Sequence, residues 1–341
     1  MPVPSTPVVS VLVVAHERRE FVAIALRSLE VQTLPRDQFE VLLLKDFEAP
    51  ELDPQLERLG AQAVTLAPGP LGRWVAQVQD QVHGQLVAFL DDDDLFEPEK
   101  LERVVEDFGS EPRASYLHHA TRPLRGPGAR PPHPSNEPAQ RAPIQNRTIA
   151  PAEWKSNFRG LWRSGAAFNL SSIVVRRQVL VEFPDWLERI EVSLSAYLFY
   201  ATLRMSGWFL LDGRPLAKYR REEGFQRDGA PAPRSAERLS ALAGPRGADA
   251  DVLLPFVAPL HFPASESPLR AARAQRNIVR ALEGVDTSRW GMLAGLASAV
   301  RFRPWNALAA ERVLFADAAR FTISPQWGRR SWDRHRRGVP H

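Results

Sequence analysis

Residues 86–101, LVAFLDDDDLFEPEKL, constrain this chain more than any other stretch. Positions 86–90 form a continuous apolar run with the character of a strand buried on both faces, and such strands belong to parallel sheets flanked by helices. Four aspartates follow directly, so they stand at the carboxyl end of the strand. Pro98 suits a first helical turn, and Leu101, Val104, Val105 and Phe108 recur at helical spacing, so a helix carries the chain away. In open α/β sheets that edge is where ligands bind. Adjacent carboxylates repel one another, and a fold gathers them at a buried strand end only where a cation or a set of donors compensates. Oxygen ligands suit a hard divalent ion, Mg2+ or Mn2+, which keeps some waters and draws further ligands from substrate phosphates. The competing reading of the charge run is a solvated acidic loop.

The chain before this point repeats the same unit. Residues 8–15, VVSVLVVA, are a β-branched run, hence a buried strand, with the polar turn His16, Glu17, Arg18 and Arg19 at its carboxyl end. Phe21, Ile24, Ala25 and Leu29 mark one face of an amphipathic helix. Strands are expected at 39–44, ending in Lys45 and Asp46, and at 62–66. Helices at 55–59 and 73–82 join them. Strands alternating with helices at this spacing predict an α/β fold with a doubly wound, mainly parallel sheet flanked by helices. The strand ends then bring His16, Arg18, Asp46 and the aspartates to one edge.

Three blocks, VSVLVVAHERREFVAIALRSLEVQTLP, FEVLLLKDFE and LVAFLDDDDLFEPEKL, resemble in order and spacing the nucleotide-sugar-binding half of inverting family 2 glycosyltransferases of the GT-A fold. The resemblance covers residues 1–120 and implies roles position by position. The turn after the first strand, Ala15, His16 and Arg18, would contact the nucleoside, and Asp46 would face the base. The family's Asp-x-Asp motif aligns with Asp91 and Asp93: Asp91 near ribose and metal, Asp93 on the metal bridging the diphosphate, and Asp92 beside the donor. The donor would be a UDP-, GDP- or dTDP-sugar and the cofactor Mg2+ or Mn2+. The acceptor is expected to be a hydroxyl on a glycan or lipid-linked glycan at the cytoplasmic membrane face, an inference from the basic C-terminal tail and not from the resemblance.

The following half is less regular. A strand is expected from 114, ending in His118 and His119, of which at most one faces the site because neighbours on a strand point to opposite faces. Residues 122–151 hold eight prolines and no periodicity, the signature of an irregular loop or a lid. Trp154 and Trp162 either stack on a sugar or simply pack. Leu187, Ile190, Leu194, Leu198 and Ala201 predict one helix over 187–205. In the resembled family this helix carries the acidic residue that deprotonates the acceptor. Counting back from Gly207, that position here is Ser195, which has no useful basicity near neutral pH. Glu191 would lie one turn earlier on the same helical face and is the first candidate base, with Glu188 and Asp185 behind it. Where the family often has a histidine after Tyr219, Arg220 and Arg221, this chain has Glu222, which leaves a third metal ligand open.

Composition sets the remaining limits. There is no cysteine, so disulfides and thiolate metal sites are excluded. No apolar run approaches the roughly 20 residues needed to span a bilayer, and the first ten residues lack the pattern of a signal peptide. The expectation is a cytoplasmic protein. The formal charge of +4 is uneven: residues 270–341 carry 14 Arg against 5 acids. Their apolar stretches interleaved with Arg and Trp suit contact with an anionic membrane at the inner face of the cell, or packing on the catalytic domain. No nucleic-acid partner is expected: such a partner would account for the Arg-rich tail but not for the acidic strand end. The domain map is a glycosyltransferase domain over 1–222 (donor half 1–120, acceptor half 121–222), a linker over 223–265 containing a short helix at 236–242, and a basic helical appendage over 266–341. The alternative to an enzyme is a catalytically silent nucleotide-sugar-binding or scaffold protein, since Ser195 and Glu222 both depart from the pattern.

Overall fold

The apolar runs of the first ninety residues become the parallel half of a nine-stranded sheet. The computed structural model describes residues 6–16, 19–124, 144–220, 235–285, 292–293, 296–297 and 312–337. Strands β1 (Val9–Ala15), β2 (Phe39–Lys45), β3 (Gln62–Thr65) and β4 (Leu86–Asp91) lie in the order β3-β2-β1-β4, all parallel, with Val9 opposite both Phe39 and Leu86. Helices α1 (Arg19–Glu30), α2 (Asp53–Leu59) and α3 (Leu71–Gln77) lie between them in sequence. Val9, Val11, Val13 and Ala15 line one face of β1 and share a core with Val22, Ala25, Leu26 and Leu29 of α1. Fully burying one such aliphatic side chain is worth about 1.5–3 kcal/mol, so this layer fixes the register of the strands and the level at which they end.

Beyond β4 the sheet is mixed. After β5 (Leu95–Phe96) and α4 (Lys100–Ser110) come β6 (Ala114–Leu124), β7 (Arg147–Ile149), α5 (Trp154–Ser164) and β8 (Ile173–Arg176). The short helices α6 (Gln178–Val181) and α7 (Pro184–Leu187) then lead to α8 (Leu194–Arg204) and β9 (Trp208–Arg220). Strand β8 inserts antiparallel between β4 and β6; β9 runs parallel to β6 and takes β5 and β7 antiparallel. The proline-rich segment is described only at its ends, since 125–143 lie outside the described residues.

The helix expected over 187–205 is broken. Residues 188–193 are not helical, and α8 starts at Leu194. The N–H groups of Glu191, Val192 and Ser193 donate instead to the buried Asp249 carboxylate, at 2.6, 3.1 and 2.7 Å. These donors are spent outside any helical ladder, so apolar spacing across the break does not make a helix.

The chain divides into two compact units: residues 1–126, 142–190 and 194–221, which hold the sheet, and residues 127–141, 191–193 and 222–341. The second unit contains α9 (Ser235–Val257), α10 (Pro263–Leu282), α11 (Arg312–Ile323) and α12 (Pro325–Arg337). Where a linker was expected, α9 runs 23 residues through Pro245 and Pro255. Proline costs helix stability by removing a donor; here α9 packs along α10 and buries Ala243, Ala250, Leu253 and Phe256, which offsets that cost. Ala243, Ile278, Leu282, Leu314, Phe321 and Trp332 form the core of this unit. α11 and α12 fold back on each other at Ser324. The fully buried Asp317 carboxylate accepts from Arg320 at 2.6 Å and pairs with His335 at 2.7 Å. Gly328 allows the approach, because a Cβ there would lie 2.5 Å from the Phe321 backbone. Most of 286–311 lies outside the described residues. Among the described residues no helix is long and apolar enough to cross a membrane.

Candidate active site

Strands β1, β2 and β4 end side by side, and the polar residues that follow them meet. Ala15 is buried as the last residue of β1. The His16 ring is exposed, yet its Nδ1 pairs with the carboxylate of Asp46, whose side chain is 3% exposed. The His16 N–H donates to Asp92 Oδ2 at 3.3 Å, and the ring stands edge-on to Trp74, centroids 5.9 Å apart. Four strand-end positions named from the sequence, Ala15, His16, Asp46 and Asp92, thus form one cluster. Arg18 and Glu17 lie outside the described residues, as do Arg221 and Glu222.

The four aspartates form a tight turn, not a solvated loop. Asp91 closes β4 and is partly exposed; Asp92, Asp93 and Asp94 are buried. The Asp94 N–H returns to the Asp91 carbonyl at 3.1 Å, and the Asp92 N–H to the Val14 carbonyl at 3.1 Å. Asp94 is structural: its Oδ1 accepts the Arg220 N–H at 2.8 Å, while Arg220 Nε donates to the Asp93 carbonyl at 3.0 Å. The end of β9 is thereby tied across the turn. Burial, reinforced by the charge of Asp91, pushes the Asp94 carboxyl up to about 8. Its second oxygen is buried without a hydrogen bond.

Compensation comes from beneath. Lys100, in the first turn of α4, is wholly buried, donates from Nζ to the Ser171 carbonyl at 2.7 Å, and sits 3.3 Å from the centroid of the Phe96 ring. Burial holds its ammonium well below the usual lysine range, while the charges of Asp94 and Asp91 draw it back up. The Ser171 hydroxyl accepts the Asp91 N–H at 3.0 Å. His118 and His119 are both buried: His118 Nε2 lies 3.0 Å from the Phe168 carbonyl, His119 Nδ1 2.8 Å from that of Ala120. Desolvation, with Lys100 nearby, pushes His119 well below the ordinary imidazole range, so it serves as a neutral core group.

The donor set fits a hard divalent ion in part. Asp91 and Asp93 supply carboxylate oxygens, and the charge gathered around Asp94 favours a cation. No group of three or more His, Asp or Glu able to hold a metal occurs among the described residues. Further ligands would come from a diphosphate and water, which Mg2+ and Mn2+ accept readily.

The acceptor-side candidates stand apart from this network. Asp185, Glu188 and Glu191 are all exposed; Asp185 lies in α7 and the other two in the break that follows. Glu191 therefore does not share a helical face with Ser195, which begins the second position of α8. The Trp162 ring stacks on Phe158 and abuts Phe199 and Tyr200, and Trp154 is buried, so both belong to an aromatic core.

Sequence reasoning missed Trp74, Lys100, Ser171 and Arg220 as parts of the site. Trp74 had one signal, the turn before it: Gly72 lets α3 press onto the chain at 187–190, where a Cβ would stand 1.9 Å from the Leu187 carbonyl oxygen. The Gly72 N–H donates to the Ile190 carbonyl at 2.9 Å.

The segment that carries β1, the aspartate turn and β8, residues 10–174, matches the family model "Glycosyl transferase family 2". Over that segment, just under half of the chain, the sequence is similar to family 2 glycosyltransferases. Its architecture is the GT-A fold of solved glycosyltransferases. Among solved structures it is similar to S. aureus TarS 1-349 in complex with UDP, at 14% identity and TM-score 0.53, covering 98% of this chain and 92% of that one. It is likewise similar to the mannosyltransferase PcManGT from Pyrobaculum calidifontis in complex with GDP-Man and Mn2+, at 14% identity and TM-score 0.51, over 100% and 90% of the two chains. Against a longer TarS structure (14% identity, TM-score 0.52) 95% of this chain is covered, but it spans only 55% of the TarS chain. A search of curated proteins gives no match.

Proposed function

We propose that this protein transfers a sugar from a nucleotide-diphosphate donor to an acceptor hydroxyl on a glycan or lipid-linked glycan, with inversion. The observation that carries this reading is the convergence of His16, Asp46, Asp92 and the aspartate turn at the carboxyl edge of the parallel strands of a family 2 domain. Neighbouring folds that hold UDP, or GDP-Man with Mn2+, support a UDP- or GDP-sugar as donor, and a dTDP-sugar stays in the donor set on the sequence resemblance alone.

The nucleoside lies in this reading against Ala15, His16 and Arg18, with Asp46 towards the base and Trp74 as an aromatic wall. Asp91 and Asp93 would hold a divalent ion, Mg2+ or Mn2+, which when bound stabilises negative charge on the leaving diphosphate. Lys100 and Arg220 keep the aspartates in position from behind. A carboxylate, Glu191 first and Glu188 or Asp185 after it, takes the acceptor proton. The acceptor oxygen then bonds to the anomeric carbon as the bond to the diphosphate oxygen breaks, and that electron pair leaves with the nucleoside diphosphate.

The test is donor binding and turnover across UDP-, GDP- and dTDP-sugars, with and without Mn2+, for the native chain, Asp93→Ala and Glu191→Gln. Turnover by the native chain that is lost in Asp93→Ala supports the reading. Asp93-dependent binding without turnover against a broad acceptor panel favours a silent nucleotide-sugar-binding protein. No donor binding at all rejects both.

A further inference from the structure

Helix α12 presents two unlike faces. Gly328, Ser331 and Trp332 are buried towards α11. Trp327, Arg330, Arg334 and Arg337, at successive spacings of three, four and three, are exposed and therefore share the opposite face. They line an open cavity of about 550 Å³ together with Asp333. Elsewhere in the hairpin Arg320 and His335 pair with Asp317, Arg336 pairs with Asp333 and, more distantly, Glu283, and Arg329 donates to the Ala281 carbonyl at 3.3 Å. Among the described residues, Arg330, Arg334 and Arg337 have no ion-pair partner. At the turn of the hairpin two large apolar side chains are exposed: Trp327 at 46%, with the Arg320 guanidinium 5.8 Å from its ring centroid, and Ile323 at 70%.

We propose that this face of α12, with Ile323 at the hairpin turn, is the docking surface for an anionic lipid bilayer. The three arginines meet lipid phosphates, and Trp327 and Ile323 enter the headgroup layer. Two observations choose a bilayer over a soluble polyanion. A dissolved phosphate polymer would be held by the arginines alone and gives no use for an exposed Ile and Trp. A bilayer offers an apolar layer directly beneath its phosphates, and Trp settles at that boundary. The inference deepens the lipid-linked-acceptor reading but rests on the helical unit alone.

The full chain is tested by co-sedimentation with phosphatidylcholine vesicles and with vesicles containing about one-third phosphatidylglycerol. The expected result is binding to the anionic vesicles that weakens as salt rises. The triple variant Arg330→Gln/Arg334→Gln/Arg337→Gln should bind roughly 100-fold more weakly, at about fivefold per arginine, and Trp327→Ala at least ~5-fold more weakly. Arg58→Gln/Arg103→Gln/Arg113→Gln, which removes the same charge from the sheet unit, should stay within about threefold of native. Hydrogen exchange on the native chain, with vesicles protecting residues 323–337, needs no variant and covers the case in which the triple variant fails to fold. The proposal is overturned if native chain does not prefer anionic vesicles, or if the control triple variant loses as much. Binding of soluble polyphosphate as tight as vesicle binding, unchanged in Trp327→Ala, also overturns it and assigns the stripe to a dissolved polyanion. Donor binding on the same samples is read separately, so failure here leaves the transferase reading standing, and the reverse.

Discussion

The aspartate turn and the segment at 185–191 both supply carboxylates to the proposed reaction, yet they are built in opposite ways. At the turn three of four aspartates are buried, and backbone and side chains from β1, β9 and the turn before β8 hold them. Asp185, Glu188 and Glu191 stand in water on a short helix and an irregular strip. Charged groups that must hold a ligand in one pose need a rigid, desolvated frame. A group that meets a changing acceptor works from an accessible position. Under the proposed reaction, the contrast places preorganisation on the donor side and the acceptor's base on the exposed strip.

That contrast can be broken most directly at Asp93. Asp93→Ala should cut turnover about 1,000-fold or more in steady-state assays, with Mn2+ stimulation lost; retention of Mn2+-stimulated turnover would move the metal role to a neighbouring aspartate. Next in size, Glu191→Gln should lower kcat roughly 100-fold while leaving donor binding by calorimetry unchanged, with Glu188→Gln and Asp185→Asn nearer native. A pattern led by Glu188 instead would shift the base by one turn of chain.

Gly72→Ala probes the joint between the two regions. With a Cβ 1.9 Å from the Leu187 carbonyl oxygen, it should cost about 2–4 kcal/mol in urea unfolding, because backbone must move. A neutral result would show that the strip at 187–190 yields freely. The smallest effect concerns pH. Asp94 has a folded-state value near 8, above its unfolded one, so the stability it contributes is full at low pH and is lost as pH rises towards and through 8. With chelator present, Asp94→Asn should therefore melt a few degrees above native at pH 9 and level with it or below at pH 5. Parallel melting curves across that range would contradict the buried, charge-crowded setting of this carboxyl.

What the sequence disclosed follows from how local each feature is. β1, β2, β4 and the aspartate turn were legible because each is a continuous apolar run ending in polar residues, and a parallel sheet aligns those ends. The break at 188–193 was not, because its cause, Asp249, lies more than fifty residues on. Lys100 reads as a surface lysine of an amphipathic helix, since nothing nearby in sequence says that Ser171 will close over it. Trp162 and Trp154 were open between sugar stacking and packing, and their neighbours Phe158, Phe199 and Tyr200 decide for packing.

The clasp of Arg220 on the aspartate turn joins residues 126 and 127 positions apart. A ribosome adding about 5–20 residues per second needs some 6–25 seconds to travel that distance. Throughout that interval the nascent chain carries its four carboxylates on a strand end whose last partner does not yet exist. This edge of the sheet is thus among the first parts to be synthesised and among the last to be completed, and a chain cut short anywhere before β9 would keep the four aspartates without the strand that ties them down.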